Sequence, residues 1–464
     1  MNQLPREFFQ PRSIVIAGAS KKGGFGSGIP KLLKRSGYAD RLYLVNPRER
    51  EIEGLQVYKR ITDIDAEIDL AIVVVPRDHV KGVLEDCAAK NIRAVILETA
   101  GFSETGPEGA RLEREIGTLA RNAGMRIIGP NCVGLINPHD RFASTEVALE
   151  EMEPGNIGVI AQSGVFGNIV ADWAPSQDLN VSSLVTIGNR ADVDETDMLY
   201  HFAADERTDV IVLYLEGAKD GERFRRAARE AAARKPVLVY KSGRTEAGKR
   251  AAASHTGSMT GEDGLYDGLL RQSGVIRASS FQELFDLARV FARQPLMKGS
   301  DIGVVTSSGS LGVMATDAAF QLGLHLPELS SATIDALREE APPWMNVKNP
   351  LDLGPSHLFG AGLEAALRDP RINGVIAIPV IPYAIIDSLM KAGVAPELIF
   401  GDPEQIRKTL PDKPVVTYTV GSSSWLSLIR KMFGPHMTLV SSAETASKAL
   451  WALHRYHLFR AAGE

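Results

Sequence analysis

His255 stands where an imidazole could do chemistry. It lies in Ala253-Ser254-His255-Thr256-Gly257-Ser258, a run of small residues without an apolar stripe, which makes a packed core histidine a poor fit. A neutral imidazole is a good nucleophile near pH 7 and can accept a phosphoryl group. Flanking Gly and Ser let a loop approach a phosphate and move. Glu216 closes the apolar run Leu213-Tyr214-Leu215-Glu216-Gly217. An acid at the carboxyl end of a parallel strand points into the ligand crevice. There it could hold the second nitrogen of His255 and set its tautomer; a helix-capping acid is the competing reading.

Phosphate chemistry is suggested again by an internal repeat. Ile157-Gly158-Val159-Ile160-Ala161-Gln162-Ser163-Gly164-Val165-Phe166-Gly167 returns 145 residues later as Ile302-Gly303-Val304-Val305-Thr306-Ser307-Ser308-Gly309-Ser310-Leu311-Gly312, with six of eleven positions identical. Each copy reads as a strand, then Ser-Gly, then a helix. The glycines suit a tight turn. The free N–H groups and the positive end of the helix dipole also suit an anion, so Ser163-Gly164 and Ser308-Gly309 are candidate phosphate sites.

Two further loops read as ligand-binding. Gly18-Ala19-Ser20 opens a glycine-rich loop after the first strand, the place where backbone approaches a pyrophosphate. The spacing is not that of the dinucleotide fingerprint, and the second strand ends in Val45-Asn46-Pro47, without the acid that binds a nicotinamide dinucleotide's ribose. That argues against NAD and leaves coenzyme A or another nucleotide; Lys21, Lys22, Arg48 and Arg50 could meet its phosphate or simply be solvated. Gly129-Pro130-Asn131-Cys132 closes the same sheet at its ligand-binding end, where Cys132 reads as a reactive thiol or, more economically, a small packing residue. Gly243 to Lys249 imitates a phosphate loop, but Arg250 stands where Ser or Thr should bind magnesium, so it is rejected.

The elements that must position these residues follow from hydrophobic periodicity. Short apolar runs at 13–17, 42–45, 70–75, 94–97 and 126–128 read as buried strands, with helical spacing at 80–90 and 108–123. The pattern restarts at 157–161, 183–187, 210–215 and 237–240, and again at 302–306 after a linker at 294–300. Strand–helix alternation means α/β architecture, here three doubly wound parallel-sheet domains, 1–150, 151–297 and 298–464. At roughly 150 residues per domain, 464 residues agree with three.

Composition narrows the function. There are 52 Lys+Arg against 57 Asp+Glu, a net charge of −5, and aromatics are 6%. Neither an electrostatic case for nucleic acid or an anionic membrane nor a base-stacking platform follows. Two cysteines exclude a disulfide framework and a zinc cluster, and fit a reducing compartment. Met1 to Arg6 lacks the apolar core of a signal peptide, and the longest apolar run, 375–386, is broken by Pro379 and Pro382. The expectation is a soluble cytoplasmic protein.

Together, Gly18-Ala19-Ser20, Val45-Asn46-Pro47, Gly129-Pro130-Asn131-Cys132, Gln162-Ser163-Gly164, the block from Gly188-Asn189-Arg190 to Glu195, and Lys241-Ser242-Gly243-Arg244-Thr245 running into the His255 loop resemble the α subunit of NDP-forming acyl-CoA synthetases. This is the succinyl-CoA synthetase superfamily, and the match is best to its ADP-forming acetate–CoA ligase type. The resemblance covers nearly the whole chain. It implies a Rossmann-like CoA-binding domain over 1–150, with Gly18, Ala19, Ser20, Asn46, Pro47, Val75, Pro76, Asn131 and Cys132 around coenzyme A. It implies two flavodoxin-like ligase domains after it, the first carrying a phosphohistidine at His255 supported by Glu216. Ser163-Gly164 and Ser308-Gly309 would start the two helices that face the phosphoryl group. The implied reaction is acyl-CoA + ADP + phosphate ⇌ carboxylic acid + CoA + ATP. ADP/ATP and Mg²⁺ are expected on a separate ATP-grasp β subunit, in an α₂β₂ assembly, with no metal site on this chain. Thr306-Ser307-Ser308-Gly309-Ser310 departs from the Asn-Ala-Gly-Gly of many relatives, which leaves substrate choice open. The alternative is a non-catalytic CoA-binding sensor or scaffold that keeps the fold.

Overall fold

The computed structural model describes residues 4–21, 23, 26–147, 149–256, 262–343 and 345–463, with backbone alone at 252–256. The first sheet holds β1 (Ile14–Ala17), β2 (Leu42–Val45), β3 (Glu51–Ile52), β4 (Leu55–Tyr58), β5 (Leu70–Val73), β6 (Ala94–Leu97) and β7 (Arg126–Ile128), in the order β3-β4-β2-β1-β5-β6-β7. All pairs are parallel except β3 with β4. β1, β5 and β6 are buried at every position, which requires cover on both faces. Helices Arg77–Ala89 and Pro107–Asn122 supply it on one face, placing Val80, Leu84, Ile116 and Ala120 against Val15, Val73 and Val95.

The second sheet is built from β8 (Leu135–Asn137), β9 (Phe142–Ala143), β10 (Ile157–Ala161), β11 (Val181–Thr186), β12 (Val210–Leu215), β13 (Val237–Lys241) and β14 (Ile276–Ala278), in the order β14-β13-β12-β10-β11-β8-β9. β8 runs antiparallel to both β11 and β9. This hairpin precedes residue 150, yet its hydrogen bonds belong to the second sheet. The sequence pattern missed it because Leu135-Ile136-Asn137 and Phe142-Ala143 are too short and mixed to stand out as apolar runs. The two sheets are knitted further by residues 189–193, whose backbone pairs with 127–130: Val193 N donates to Ile127 O (3.0 Å) and Asn189 N to Pro130 O (2.9 Å).

Contacts divide the chain into two compact units, 1–278 and 279–464. In the C-terminal unit, β15 (Ile302–Thr306), β16 (Leu351–Asp352), β17 (Gly374–Ile378), β18 (Val415–Tyr418) and β19 (Leu439–Val440) form an all-parallel sheet ordered β16-β15-β17-β18-β19. Its core stacks Phe359, Phe400, Trp425 and Phe433 edge-on. Helix Phe281–Arg293, which the sequence reading puts in the middle segment, packs in this unit: Asp286 accepts from Ser441 N (2.9 Å), and Gln294 just beyond accepts from Val415 N (2.9 Å). No helix among the described residues is long and apolar enough to cross a membrane.

Candidate active site

A cavity of about 1310 Å³ opens at the carboxyl ends of the first and second sheets. Ligands of open α/β sheets bind at such ends. Of the residues singled out from sequence, Val75, Pro76, Asn131, Cys132, Ser163, Gly164 and Glu216 line it together. They come from four separated stretches of chain.

Gly18 abuts the same wall. Its φ is +101°, and a Cβ there would lie 2.8–2.9 Å from the backbone of Val74 and Val75, so only glycine fits. Ala19 and Ser20 follow it, and Asn46 fastens the loop by donating from Nδ2 to Ala19 O (2.7 Å) while Oδ1 accepts from Arg48 N (2.8 Å). Pro47, Lys21, Arg48 and Arg50 are exposed beside it; Lys22 lies outside the described residues. Asn131 holds a left-handed φ of +58° and donates to Asn189 Oδ1 (3.2 Å). Cys132 is buried, and its thiol faces Leu97 O at 3.4 Å. Burial pushes its pKa well above the thiol range, so the packing reading suits it better than the reactive one.

Ser163 caps helix Gly164–Trp173, its hydroxyl accepting from Phe166 N (3.5 Å). The helix start thus aims its N–H groups at the cavity. Gly167 lets this helix lie close to the sheet, since a Cβ there would come 2.2 Å from Thr186 Cγ2. The repeat unit behaves alike in the C-terminal unit: Ser308 begins helix Gly309–Gln321, and a Cβ at Gly312 would come 2.9 Å from Thr306 Cγ2. There, however, a Cβ at Gly309 would stand 2.5 Å from Asp352 Oδ2, so a carboxylate faces the helix start.

Glu216 follows β12 and is 4% exposed. The turn behind it is held by residues that sequence reasoning did not place in the site. Gln162 Oε1 accepts from Glu216 N (2.6 Å) and Gly217 N (3.1 Å), while its Nε2 donates to Gly217 O (2.9 Å) and Glu195 Oε2 (3.1 Å). Arg190 Nη1 donates to the same two acceptors, at 2.6 and 3.2 Å. Tyr266 OH accepts from Ala218 N (2.8 Å), and Lys241 Nζ lies 4.7 Å from the centre of the Tyr266 ring. Burial drives the Lys241 pKa down to about 8. His255 lies in helix Glu246–Thr256, which follows β13; its side chain, and residues 257–261, fall outside what is described.

Gln162 was within reach of sequence reading: it directly follows β10, just before Ser-Gly, as Glu216 directly follows β12. Tyr266 and Arg190 were not, because they arrive through tertiary packing. Among the described residues no cluster of His, Cys, Asp and Glu could hold a metal ion.

Comparison with known proteins fits this layout. The family models for a CoA binding domain, a succinyl-CoA ligase like flavodoxin domain and a Ligase-CoA domain match residues 12–138, 154–291 and 302–462. A CoA ligase assembled from these three modules in this order is the class that fold and sequence define. The chain is 37% identical to the acetate–CoA ligase [ADP-forming] I subunit alpha of Pyrococcus furiosus over 98% of each. It is 41% identical to the acetate–CoA ligase [ADP-forming] of Methanocaldococcus jannaschii over 74% of this chain, and spans 48% of that longer protein. The acetyl-coenzyme A synthetase 1 of Ca. Korarchaeum cryptofilum, solved in complex with phosphate and ADP, superposes with a TM-score of 0.85 at 31% identity, covering 99% of this chain and 98% of that one. The chain belongs to the family of ADP-forming acetate–CoA ligase α subunits.

Proposed function

We propose that this chain is the α subunit of an ADP-forming acyl-CoA synthetase, interconverting acyl-CoA, ADP and phosphate with carboxylic acid, CoA and ATP. The observation that carries this is the single cavity in which the CoA-loop residues Val75, Pro76, Asn131 and Cys132 meet a capped helix start at Ser163-Gly164 and the buried Glu216. In this reading 1–150 is the CoA-binding domain and 151–297 and 298–464 are the two ligase domains, with the β8–β9 hairpin crossing the first boundary and helix Phe281–Arg293 the second.

In the direction of ATP formation, a phosphate oxygen attacks the thioester carbonyl. The C–S bond breaks, CoA leaves as the thiol after taking a proton, and an acyl phosphate remains. His255 then attacks phosphorus, the bond to the carboxylate oxygen breaks, and the acid is released. The helix start at Ser163-Gly164 meets the charge spread over the transferring oxygens. In the same reading Ser308-Gly309 is a second phosphate-binding helix start, and Glu216 orients the His255 ring. The phosphoryl group passes from His255 to a terminal oxygen of ADP. Holding it on histidine lets two separated sites share it without loss to water. ADP/ATP and Mg²⁺ are assigned to an ATP-grasp β subunit, in an α₂β₂ complex of the cytoplasm. A small carboxylic acid is the expected product.

Intact mass tests this. The purified chain is incubated with phosphate and a panel of acyl-CoAs at neutral pH, because phosphohistidine is acid-labile, with and without a candidate β subunit. One added phosphate is expected with a particular acyl-CoA, and none in His255→Ala, which should still bind CoA. An equal phosphate on the variant would remove His255 from the mechanism. CoA binding with no phosphate under either condition would leave the sensor reading standing instead.

A further inference from the structure

Glu98 is a buried acid of the cavity wall that the reading above leaves without a task; unlike it, buried Glu113 on the same wall is already paired, accepting from Ser103 N (3.1 Å) and Asn189 Nδ2 (3.0 Å). It extends β6 by one residue, its N–H donating to Val73 O (3.0 Å), at the carboxyl end of the first sheet where ligands bind. It lines the cavity alongside Val74, Val75 and Cys132. It is 4% exposed, and both carboxyl oxygens are buried without a hydrogen-bond partner among the described residues. A Cβ at Gly134 would lie 3.1 Å from its Oε1, so the chain backbone is close but offers it nothing. Burial, with Glu146 adding to it, raises its pKa well above the ordinary carboxyl value, which favours the protonated form, an O–H donor.

A buried polar group left unpaired costs stability and persists where a partner arrives from outside. The neutral carboxyl offers one O–H donor and a carbonyl acceptor. Its complement is a carbonyl oxygen, or an amide presenting both groups. The ligand expected in this cavity brings both kinds: amides along the pantetheine arm of CoA, and the thioester carbonyl of acyl-CoA.

We propose that Glu98 is a positioning residue for acyl-CoA, donating a hydrogen bond from its carboxyl to a carbonyl oxygen of the pantetheine–thioester arm. The proposal rests on the CoA-binding reading above. Its requirement is different, however, because it concerns one contact inside the cavity rather than occupancy of the cavity.

The test is equilibrium binding to the full chain of three ligands: CoA, acetyl-CoA, and adenosine 3′,5′-bisphosphate, which lacks the arm. Glu98→Leu is expected to weaken CoA, acetyl-CoA or both by about tenfold, the worth of one hydrogen bond, and to leave the bisphosphate unchanged. Loss with both ligands assigns a pantetheine amide; loss with acetyl-CoA alone assigns the thioester carbonyl. Glu98→Gln should recover most of the affinity, since a carboxamide also donates. Because the carboxyl is unpaired in the free chain, Glu98→Leu should raise the melting temperature while it weakens the ligand, which a structural role would not do. Unchanged affinity in Glu98→Leu overturns the proposal. So does a Glu98→Gln as weak as Glu98→Leu, or a Glu98→Leu that fails to fold. A wild-type chain that binds none of the three ligands removes the CoA reading itself.

Discussion

Arg190 shows how a single side chain of the cavity wall braces the turn on which the site depends. Its backbone is left-handed, with φ +61°, and its guanidinium is 6% exposed. From there it bridges Glu195 and the carbonyl of Gly217, next to Glu216. Removing one partner of a buried ion pair leaves the other charge without compensation. Arg190→Met should therefore cost about 3–5 kcal/mol in denaturant unfolding, and slow phosphoryl transfer more than it weakens CoA. A loss below about 1 kcal/mol would show that Gln162 alone holds the turn. The identity of Arg190 was visible in the sequence only as part of a shared block. Its work was not, because Gly217 is 27 positions away and reaches it only once β11 and β12 are brought into one sheet on either side of β10.

At the scale of elements, most strands of the first two sheets were legible, while the short hairpins and the later strands of the third sheet, β17 and β18 among them, were not. β2, β6, β7, β10, β12 and β15 begin and end at the residues the apolar runs predict, since a strand buried on both faces is written as an unbroken apolar stretch. The β3–β4 and β8–β9 hairpins left no such trace. Neither did the docking of the N-terminal turn Arg6–Phe8 and Phe9, where Phe9 stacks on His201 at 3.8 Å between ring centres. His201 belongs to helix Glu195–Ala204, and burial lowers its pKa to about 4, with Lys235 adding to and Asp205 opposing the shift. A histidine held neutral when folded but ordinary when unfolded binds its proton first in the unfolded chain. Its contribution is whole above the ordinary value near 6.5 and drains away as pH falls toward about 4. Melting temperatures between pH 4 and 7 should fall less steeply for His201→Phe, which keeps the stack, than for the wild type. Parallel curves would show that His201 carries none of the acid sensitivity.

Over the whole molecule, two units of 1–278 and 279–464 hold separate cores. The cavity belongs wholly to the first. Phe359→Ala, in the aromatic stack of the second, should cost about 3–5 kcal/mol and lower one calorimetric transition while CoA binding is retained. A uniform downward shift of the entire profile would mean the cores unfold as one. The sequence predicted a sheet for each third of the chain but could not see that β8 and β9 are paid out early and used late. They leave the ribosome with the first sheet, whereas β11, the strand that β8 pairs with, ends at Thr186, roughly 50 residues further on. At about 5–20 residues per second this is a delay of a few seconds. Throughout it, Asn131 and Cys132 hang between a completed sheet and one not yet made. The floor of the cavity therefore sets only well after the first sheet is made, and a nascent chain stalled before residue 186 would have a first sheet but nowhere to seat its ligand.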